Sequence, residues 1–151
     1  MEKHELRAVL FQLELDRRRL LQPWFSGLGL TLGQGQPRIL ARLLQGDGLT
    51  QRELADACTL DAATLSRALD RLEETGLIRR VENPGSRRSY LVRLTDAGRE
   101  KAVQVQRGFD KVDELLCQGF AGEELDRIQA DLGRLKANLE QCETLFGGKS
   151  T

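Results

Sequence analysis

The chain has 151 residues, long enough for one domain with a buried core that needs no disulfide or metal. It is 40% hydrophobic and 30% charged, and its 23 basic side chains balance 23 acidic ones, for a net charge of zero. The total charge therefore gives no support for a nucleic-acid partner, and any such argument depends on where the charges lie.

The N-terminal segment and the cysteines narrow the class of protein. Charged residues interrupt residues 1–20 every few positions, unlike a signal peptide or a membrane span, so we expect a cytoplasmic protein with no membrane partner. Cys58, Cys117 and Cys142 are widely spaced and His4 is the only histidine, which argues against a disulfide framework, a zinc site and nucleophilic catalysis. We predict no metal, no cofactor and no enzymatic activity.

Two glycine-rich segments imitate nucleotide-binding motifs. Residues 147–151 resemble the end of a phosphate-binding loop, but Glu143 stands where the first glycine belongs, so we interpret them as a tail. The glycines from Gly27 to Gly35 do not complete the dinucleotide-binding motif and follow no predicted strand.

Apolar residues of the N-terminal segment recur at helical spacing, at Leu6, Leu10, Leu13, Leu20 and Trp24. Residues 4–22 are therefore predicted to form an amphipathic helix that ends before Pro23, with Arg17 in its apolar stripe. The segment from Trp24 to Gly35 is predicted to be a loop, and Pro37 suits the first turn of a second helix.

Two short helices follow, separated by a tight turn. Thr50 and Glu53 predict a capping box at the start of the first helix, and Asp61 is the expected cap of the second helix, which Gly76 ends. The residues predicted to face the core are Leu54, Ala55, Cys58, Leu65, Ala68, Leu69 and Leu72. This arrangement is typical of a helix-turn-helix, whose second helix enters the major groove of DNA.

The outward face of that second helix carries Ala62, Ala63, Thr64, Ser66, Arg67, Asp70 and Arg71. Its small residues lie near the N-terminus, where bulk would prevent entry into the groove, and Arg67 is suited to a guanine edge or a phosphate. The alternative interpretation is an ordinary surface helix on which Arg67 and Arg71 pair with Asp70, Glu73 and Glu74.

A basic hairpin comes next. Residues 77–81 and 90–94 are predicted strands, and residues 83–86, with Pro84 and Gly85 in the middle, predict a type II turn. Five arginines and one glutamate give the hairpin a net charge of +4. Such a hairpin suits a minor groove or a phosphate backbone, although arginines also keep an ordinary exposed hairpin soluble.

Two helices complete the chain. Thr95 is the expected cap of a long helix with the stripe Ala102, Val105, Phe109, Val112 and Leu116. A last helix over residues 122–145 carries the stripe Leu125, Ile128, Leu132, Leu135, Leu139 and Cys142. So regular an apolar seam is typical of a helix interface, and we predict an obligate homodimer joined through residues 4–22 and 122–145.

Together these motifs resemble the MarR family of bacterial regulators over about residues 28–99. The matching segments are Leu30-Thr31, Gln51-Arg52-Glu53-Leu54-Ala55, Thr64-Leu65-Ser66-Arg67, Asp70-Arg71-Leu72-Glu73, Gly76-Leu77-Ile78-Arg79-Arg80, Arg87-Arg88, and Val92-Arg93-Leu94-Thr95 with Gly98. The resemblance implies a mainly α fold with a small β-hairpin wing, a winged helix-turn-helix with N- and C-terminal dimerisation helices. It implies one domain over residues 1–151, with a DNA-binding lobe at about 30–99 and a dimerisation lobe at about 4–22 and 100–146.

The function implied by the resemblance is a homodimeric transcriptional regulator that binds a pseudopalindromic operator in double-stranded DNA and represses. Family members release DNA on binding a small phenolic or other aromatic ligand, or on oxidation. The alternative is a winged-helix module that binds a protein and no specific DNA. Oxidation is disfavoured here because no cysteine precedes Cys58, which faces the core as a structural cysteine would.

The resemblance also assigns site residues. It places Ser66, Arg67 and Arg71 on the recognition helix, Gln51 on the bracing helix, and Arg88 at the minor-groove arginine of the wing. Our DNA-binding candidates also include the neighbouring residues Ala63 and Thr64 of the helix and Ser86 and Arg87 of the wing. The family usually has an aspartate where this chain has Ser86, and a hydroxyl orients the guanidinium of Arg88 only weakly, so we expect a looser wing.

Arg17 and Trp24 are the candidate ligand-binding residues. An arginine in an apolar stripe could hold the carboxylate of an aromatic effector beside the indole. The alternative role of Arg17 is an ion pair across the dimer.

Overall fold

The computed structural model describes residues 1–147, so residues 148–151 of the predicted tail lie outside the described residues. In chain order the elements are α1 (Lys3–Gly27), a 3₁₀ turn (Leu32–Gln34), α2 (Gln36–Gln45), β1 (Leu49–Thr50), α3 (Gln51–Cys58), α4 (Ala62–Glu74), β2 (Ile78–Asn83), β3 (Ser86–Leu94), α5 (Asp96–Leu116) and α6 (Gly122–Glu140). The chain divides into two compact units, residues 1–113 and the residues from 114 onward. The fold is mainly helical with one small antiparallel sheet, which confirms the predicted fold class.

The core of the first unit lies beneath three short helices. α2, α3 and α4 each bury one side, as their apolar spacing predicts. Their buried apolar residues are Ile39, Leu40, Ala41, Leu43, Leu54, Cys58, Leu65, Ala68, Leu69 and Leu72. The sheet contributes Ile78, Val92 and Leu94 to the same core, and the flanking helices contribute Phe25, Ala102 and Val105. Burial of these apolar side chains drives the association of the elements.

The predicted caps of α3 and α4 are present. The Thr50 hydroxyl accepts a hydrogen bond from the Glu53 amide at 3.1 Å, and Asp61 Oδ1 accepts one from the Thr64 amide at 2.8 Å. The Glu53 carboxylate accepts from the Thr50 hydroxyl, so only half of the reciprocal capping box forms. Gly76, with φ of +76°, lies just after the end of α4.

The predicted bounds of the first and last helices were wrong. α1 continues through Pro23 to Gly27, so Trp24 lies on a helix and not in a loop. A proline removes one helical hydrogen bond. Burial of Phe25, whose ring meets Phe109 edge-to-face at 5.1 Å, compensates for that loss. α6 ends at Glu140, and Cys142 therefore lies beyond the helix.

The sheet has three strands in the order β1-β3-β2, all antiparallel. β1 pairs Leu49 with Val92 and was not predicted, since two residues are too few to show periodicity. The predicted type II turn was wrong, because Gly85 lacks the positive φ that this turn requires. Instead, Asn83 Oδ1 accepts a hydrogen bond from the Gly85 amide at 3.0 Å.

Gly98 fixes the position of α5 against the start of the wing. A Cβ at this position would overlap the backbone carbonyl of Leu77. The Thr95 hydroxyl lies at the same junction: it donates to the Gly76 carbonyl at 2.6 Å and accepts from the Gly98 amide at 3.0 Å. The end of the recognition helix and the start of α5 therefore meet backbone to backbone.

We predict that Gly98→Ala destabilises the protein by roughly 3 kcal/mol, because the added methyl group overlaps backbone that no rotamer change can move. The matched control is Gly133→Ala in the interior of α6, where a Cβ meets nothing within 4 Å. That substitution should stabilise by about 0.5–1 kcal/mol. Urea denaturation measures both changes, and equal stability of the two variants would contradict the close approach at Gly98.

Candidate nucleic-acid interface

The outward face of α4 has the shape that groove entry requires. Ala62 and Ala63 begin the helix and are exposed. Arg67 follows about one turn later and Arg71 about one turn after that, and both are exposed. Among residues 1–147, neither guanidinium makes a hydrogen bond or an ion pair. Two long cations therefore extend from a helix whose first turn is narrow.

The other predicted residues on the two helices are less exposed. Thr64 is half-buried, and its hydroxyl donates to Asp61 Oδ2 at 2.8 Å, so it serves the helix cap first. Ser66 is half-buried on α4, and Gln51 is the half-buried first residue of α3. The helix-turn-helix thus places Arg67 and Arg71 outermost and the smaller polar residues beneath them.

The cap of α4 is charged at neutral pH. Hydrogen bonds from the backbone and hydroxyl of Thr64, and to a smaller extent the positive charge of Arg67, lower the pKa of Asp61 below its ordinary value. An ionised carboxylate also interacts favourably with the N-terminal end of a helix dipole. The electrostatics and the hydrogen bonds therefore favour the same capped conformation.

The acidic residues of α4 pair with the wing and not with the exposed arginines. Arg80 of β2 donates from Nη2 to Asp70 Oδ1 at 2.9 Å and from Nη1 to Glu73 Oε1 at 3.2 Å. The alternative interpretation, in which Asp70 and Glu73 neutralise Arg67 and Arg71, is not what the structure shows. Arg80, one of the five arginines of the hairpin, is therefore paired and adds little to the charge that the hairpin presents outward.

A second hairpin arginine is also paired. Arg93 Nη1 lies 3.3 Å from Asp47 Oδ1, and the other oxygen of Asp47 accepts the Leu94 amide at 3.0 Å. These bonds tie the end of β3 to the turn before β1. Within the described part of the chain, the side chains of Arg79, Arg87 and Arg88 remain without a hydrogen-bond or ion-pair partner. Three unpaired arginines and the exposed carboxylate of Glu82 therefore make up the outward charge of the wing.

Ser86 binds backbone at the tip of the wing. Its hydroxyl accepts a hydrogen bond from the Arg88 amide at 3.3 Å, and no carboxylate in residues 1–147 pairs with the Arg88 guanidinium. An open surface cavity of about 350 Å³ adjoins the tip and is lined by Glu82, Asn83, Ser86, Arg87, Ser89 and Tyr90. The hydroxyl of Ser86 therefore orders the local backbone and does not pair with the guanidinium of Arg88.

The structure does not bring the two candidate ligand residues together. Trp24 lies against Gly108 of α5, and its indole N–H donates to the Gln104 carbonyl at 2.8 Å. Arg17 instead donates to Glu14 at 3.2 Å within α1. A cavity of about 440 Å³ beside the indole is lined by Leu20, Leu21, Trp24, Arg107, Gly108, Lys111 and Val112. The sequence did not indicate that Arg107 and Lys111 lie beside Trp24, because they are about 80 positions away along the chain. The available signal was the spacing of these two cations, which are four residues apart on one helix and adjoin Gly108.

Cys58 has the environment of a structural cysteine. It is buried, burial raises the pKa of its thiol, and its carbonyl accepts a hydrogen bond from Arg38 Nη1 at 2.8 Å. A raised pKa lowers the thiolate fraction and with it the reactivity toward oxidants. Cys117 is half-buried and Cys142 is exposed.

Residues 1–147 contain neither a membrane-spanning helix nor a cluster of metal-ligating side chains. No helix there is long and apolar enough to cross a membrane. No group of three or more histidine, cysteine, aspartate or glutamate side chains there is placed to hold a metal ion.

The fold and this interface define a winged helix-turn-helix protein, and comparison with known proteins shows which family it resembles. The MarR family model matches residues 27–89. YybA, an HTH-type transcriptional regulator of Bacillus subtilis (strain 168), is 29% identical over 117 residues, which cover 78% of this chain and 77% of YybA. The organic hydroperoxide resistance transcriptional regulator of the same bacterium is 28% identical over 144 residues, 92% of each chain.

A solved structure agrees with these relatives. A MarR mutant from E. coli, crystallised in complex with operator DNA, matches with a TM-score of 0.74 at 25% identity over 87% of this chain and 93% of that chain. Over residues 27–89 the chain thus resembles the MarR family of transcriptional regulators, and the relatives and the solved structure agree with that likeness.

Proposed function

We propose that this protein represses transcription by binding a pseudopalindromic operator as a homodimer, in the cytoplasm, and that a small aromatic effector releases it. The observation that carries the proposal is the outward face of α4, where Arg67 and Arg71 are exposed and unpaired among residues 1–147 behind a narrow first turn. The operator complex of the related MarR protein supports the same use of this fold.

Two kinds of contact follow from the interface. Arg67, nearest the start of α4, is suited to a bidentate hydrogen bond with a guanine in the major groove, which distinguishes base pairs. Arg87 and Arg88 are suited to phosphates and to the negative potential of the minor groove, which attract arginine whatever the sequence. Specificity then comes chiefly from the helix, and the wing adds affinity.

The apolar faces of α1 and α6 support the homodimer. In the single chain α1 exposes Leu10, Phe11, Leu13 and Leu20, and α6 exposes Ile128, Leu132, Leu135 and Leu139. A stripe of exposed apolar side chains along a helix, present on α1 and on α6, is typical of an interface. A second copy of the chain is the occupant we propose, since a two-fold dimer presents two recognition helices to the two halves of a pseudopalindromic operator.

The cavity beside Trp24 is the effector site that we propose. Leu20, Leu21 and Val112 line it with apolar surface, while Arg107 and Lys111 bring two cations. An aromatic acid fits this lining: its ring would stack on the indole of Trp24, and its carboxylate would pair with the two cations. Arg17, which pairs with Glu14, is not the ligand anchor in this proposal and keeps its alternative role, an ion pair across the dimer.

Our first test of the function measures DNA binding by fluorescence anisotropy, with a duplex that the wild-type protein selects from a random pool and with a random duplex. Arg67→Ala should lose about 1–3 kcal/mol on the selected duplex and much less on the random one. Arg88→Ala should weaken both and lower the slope of log K against log salt by about one. Arg134→Ala removes a cation from α6 and serves as the control.

A protein-interaction module would give a different result. It would show weak binding to both duplexes, with no preference between them and no loss on substitution of Arg67. That outcome would exclude the proposed function, and the alternative function would then account for the fold.

For the dimer, we predict that the pair of substitutions Leu132→Asp and Leu135→Asp gives monomers or unfolded chains, because two carboxylates would be buried in an apolar interface. Gln129→Asp, which adds the same charge to the polar side of α6, should leave the dimer intact. Sedimentation equilibrium distinguishes these states. A stable monomeric wild type would exclude the dimer.

For the effector, we predict that benzoate quenches the fluorescence of Trp24, the only tryptophan, more strongly than phenol does, since phenol carries no carboxylate. Arg107→Ala and Lys111→Ala should each require several-fold more benzoate for half-maximal quenching, because each removes a charge that holds the anion. Arg17→Ala should match the wild type. Equal titration curves for all four proteins would contradict the proposed site.

A further inference from the structure

Asp70 stands where it could disable the recognition helix. It lies three residues after Arg67 and directly before Arg71 on α4. Oppositely charged side chains three or four residues apart on a helix are neighbours and pair with each other. An unengaged Asp70 would therefore compete with DNA for the Arg67 guanidinium, and its charge would repel phosphate.

Arg80 prevents this pairing. Its guanidinium reaches from β2 to two carboxylates of α4 at once, with Nη2 2.9 Å from Asp70 and Nη1 3.2 Å from Glu73. The Arg80 amide also donates to Glu73, at 3.3 Å. Only 17% of the Arg80 side chain is exposed, so solvent screens these pairs less than it screens a pair on the open surface.

We propose that Arg80 is a positioning residue for DNA recognition: it holds Asp70 and Glu73 against the wing, and because Asp70 is the acid three positions after Arg67, this leaves Arg67 unpaired for DNA. The inference rests on the proposed function. Arg80 acts through Asp70 and needs no contact with DNA of its own. The contact matters on this helix because Arg67 and Arg71 share it with three acids, Asp70, Glu73 and Glu74.

The contact has a second effect, on the wing. Because one side chain joins α4 to β2, the recognition helix and the hairpin that carries Arg87 and Arg88 are held in a single relative position. The planar guanidinium can engage two carboxylates at separate nitrogens, whereas a lysine offers one point charge. Arg80→Lys is therefore a milder variant: it keeps the positive charge but cannot bind both carboxylates through separate nitrogens.

The test is a double-mutant cycle with Arg80→Gln, Asp70→Asn and the double variant, measured by anisotropy on the duplex selected by the wild-type protein. Arg80→Gln should weaken binding at least tenfold and lower the salt slope by about one, because Asp70 then occupies Arg67. The double variant should recover most of both losses, since the competing carboxylate is gone. Glu74→Gln, an acid on the same helix that Arg80 does not touch, should not rescue Arg80→Gln.

The cycle also separates this role from a structural one. Loss of the ion pairs lowers the urea midpoint in Arg80→Gln, and Asp70→Asn cannot restore it because the pairs stay broken. Recovery of affinity without recovery of the midpoint supports the proposal; additive losses of affinity overturn it. If Arg80→Gln does not fold, the same cycle in the Arg80→Lys background gives the answer. If the wild-type protein shows no salt-dependent binding to DNA, the proposed function itself is refuted. That result differs from additive losses of affinity in the double-mutant cycle, which would refute only the role of Arg80.

Discussion

The burial of Leu65, Leu69 and Leu72 is the constraint on which the rest of the interface depends. These three leucines fix the rotation of α4 about its own axis, since their side chains are almost fully enclosed in the core. With 3.6 residues per turn, the opposite side of the helix must then face solvent, and it carries Arg67 and Arg71. The core therefore decides which residues are available to a partner.

A protein with no net charge must sort its charges in space to attract a polyanion. The structure does so by pairing Arg80 with Asp70 and Glu73, and Arg93 with Asp47, at the base of the wing. These pairs remove acids from the surface around the exposed arginines. Local cationic character thus arises from the arrangement of the charges and not from their number.

Much of the fold could be predicted because its signals are local. Asp61 as the cap of α4, Gly76 after its end and the alternating strand β3 depend on neighbours within a few residues, and all are present. The continuation of α1 through Pro23 could not be predicted. A local rule ends a helix at proline, whereas the buried contact between Phe25 and Phe109 is made across more than 80 residues.

The sequence by itself determined the class of the protein and the outward residues of α4, because helical periodicity and capping chemistry are written in consecutive residues. Only the tertiary structure decided which arginines remain unpaired. Arg80 and Arg93 look like Arg87 and Arg88 in the sequence, but they differ in the carboxylates that the fold brings to them. The energy of a charge pair depends on the distance between the two charged groups in space. Arginine and carboxylate come within that distance only when the helices and the sheet pack together.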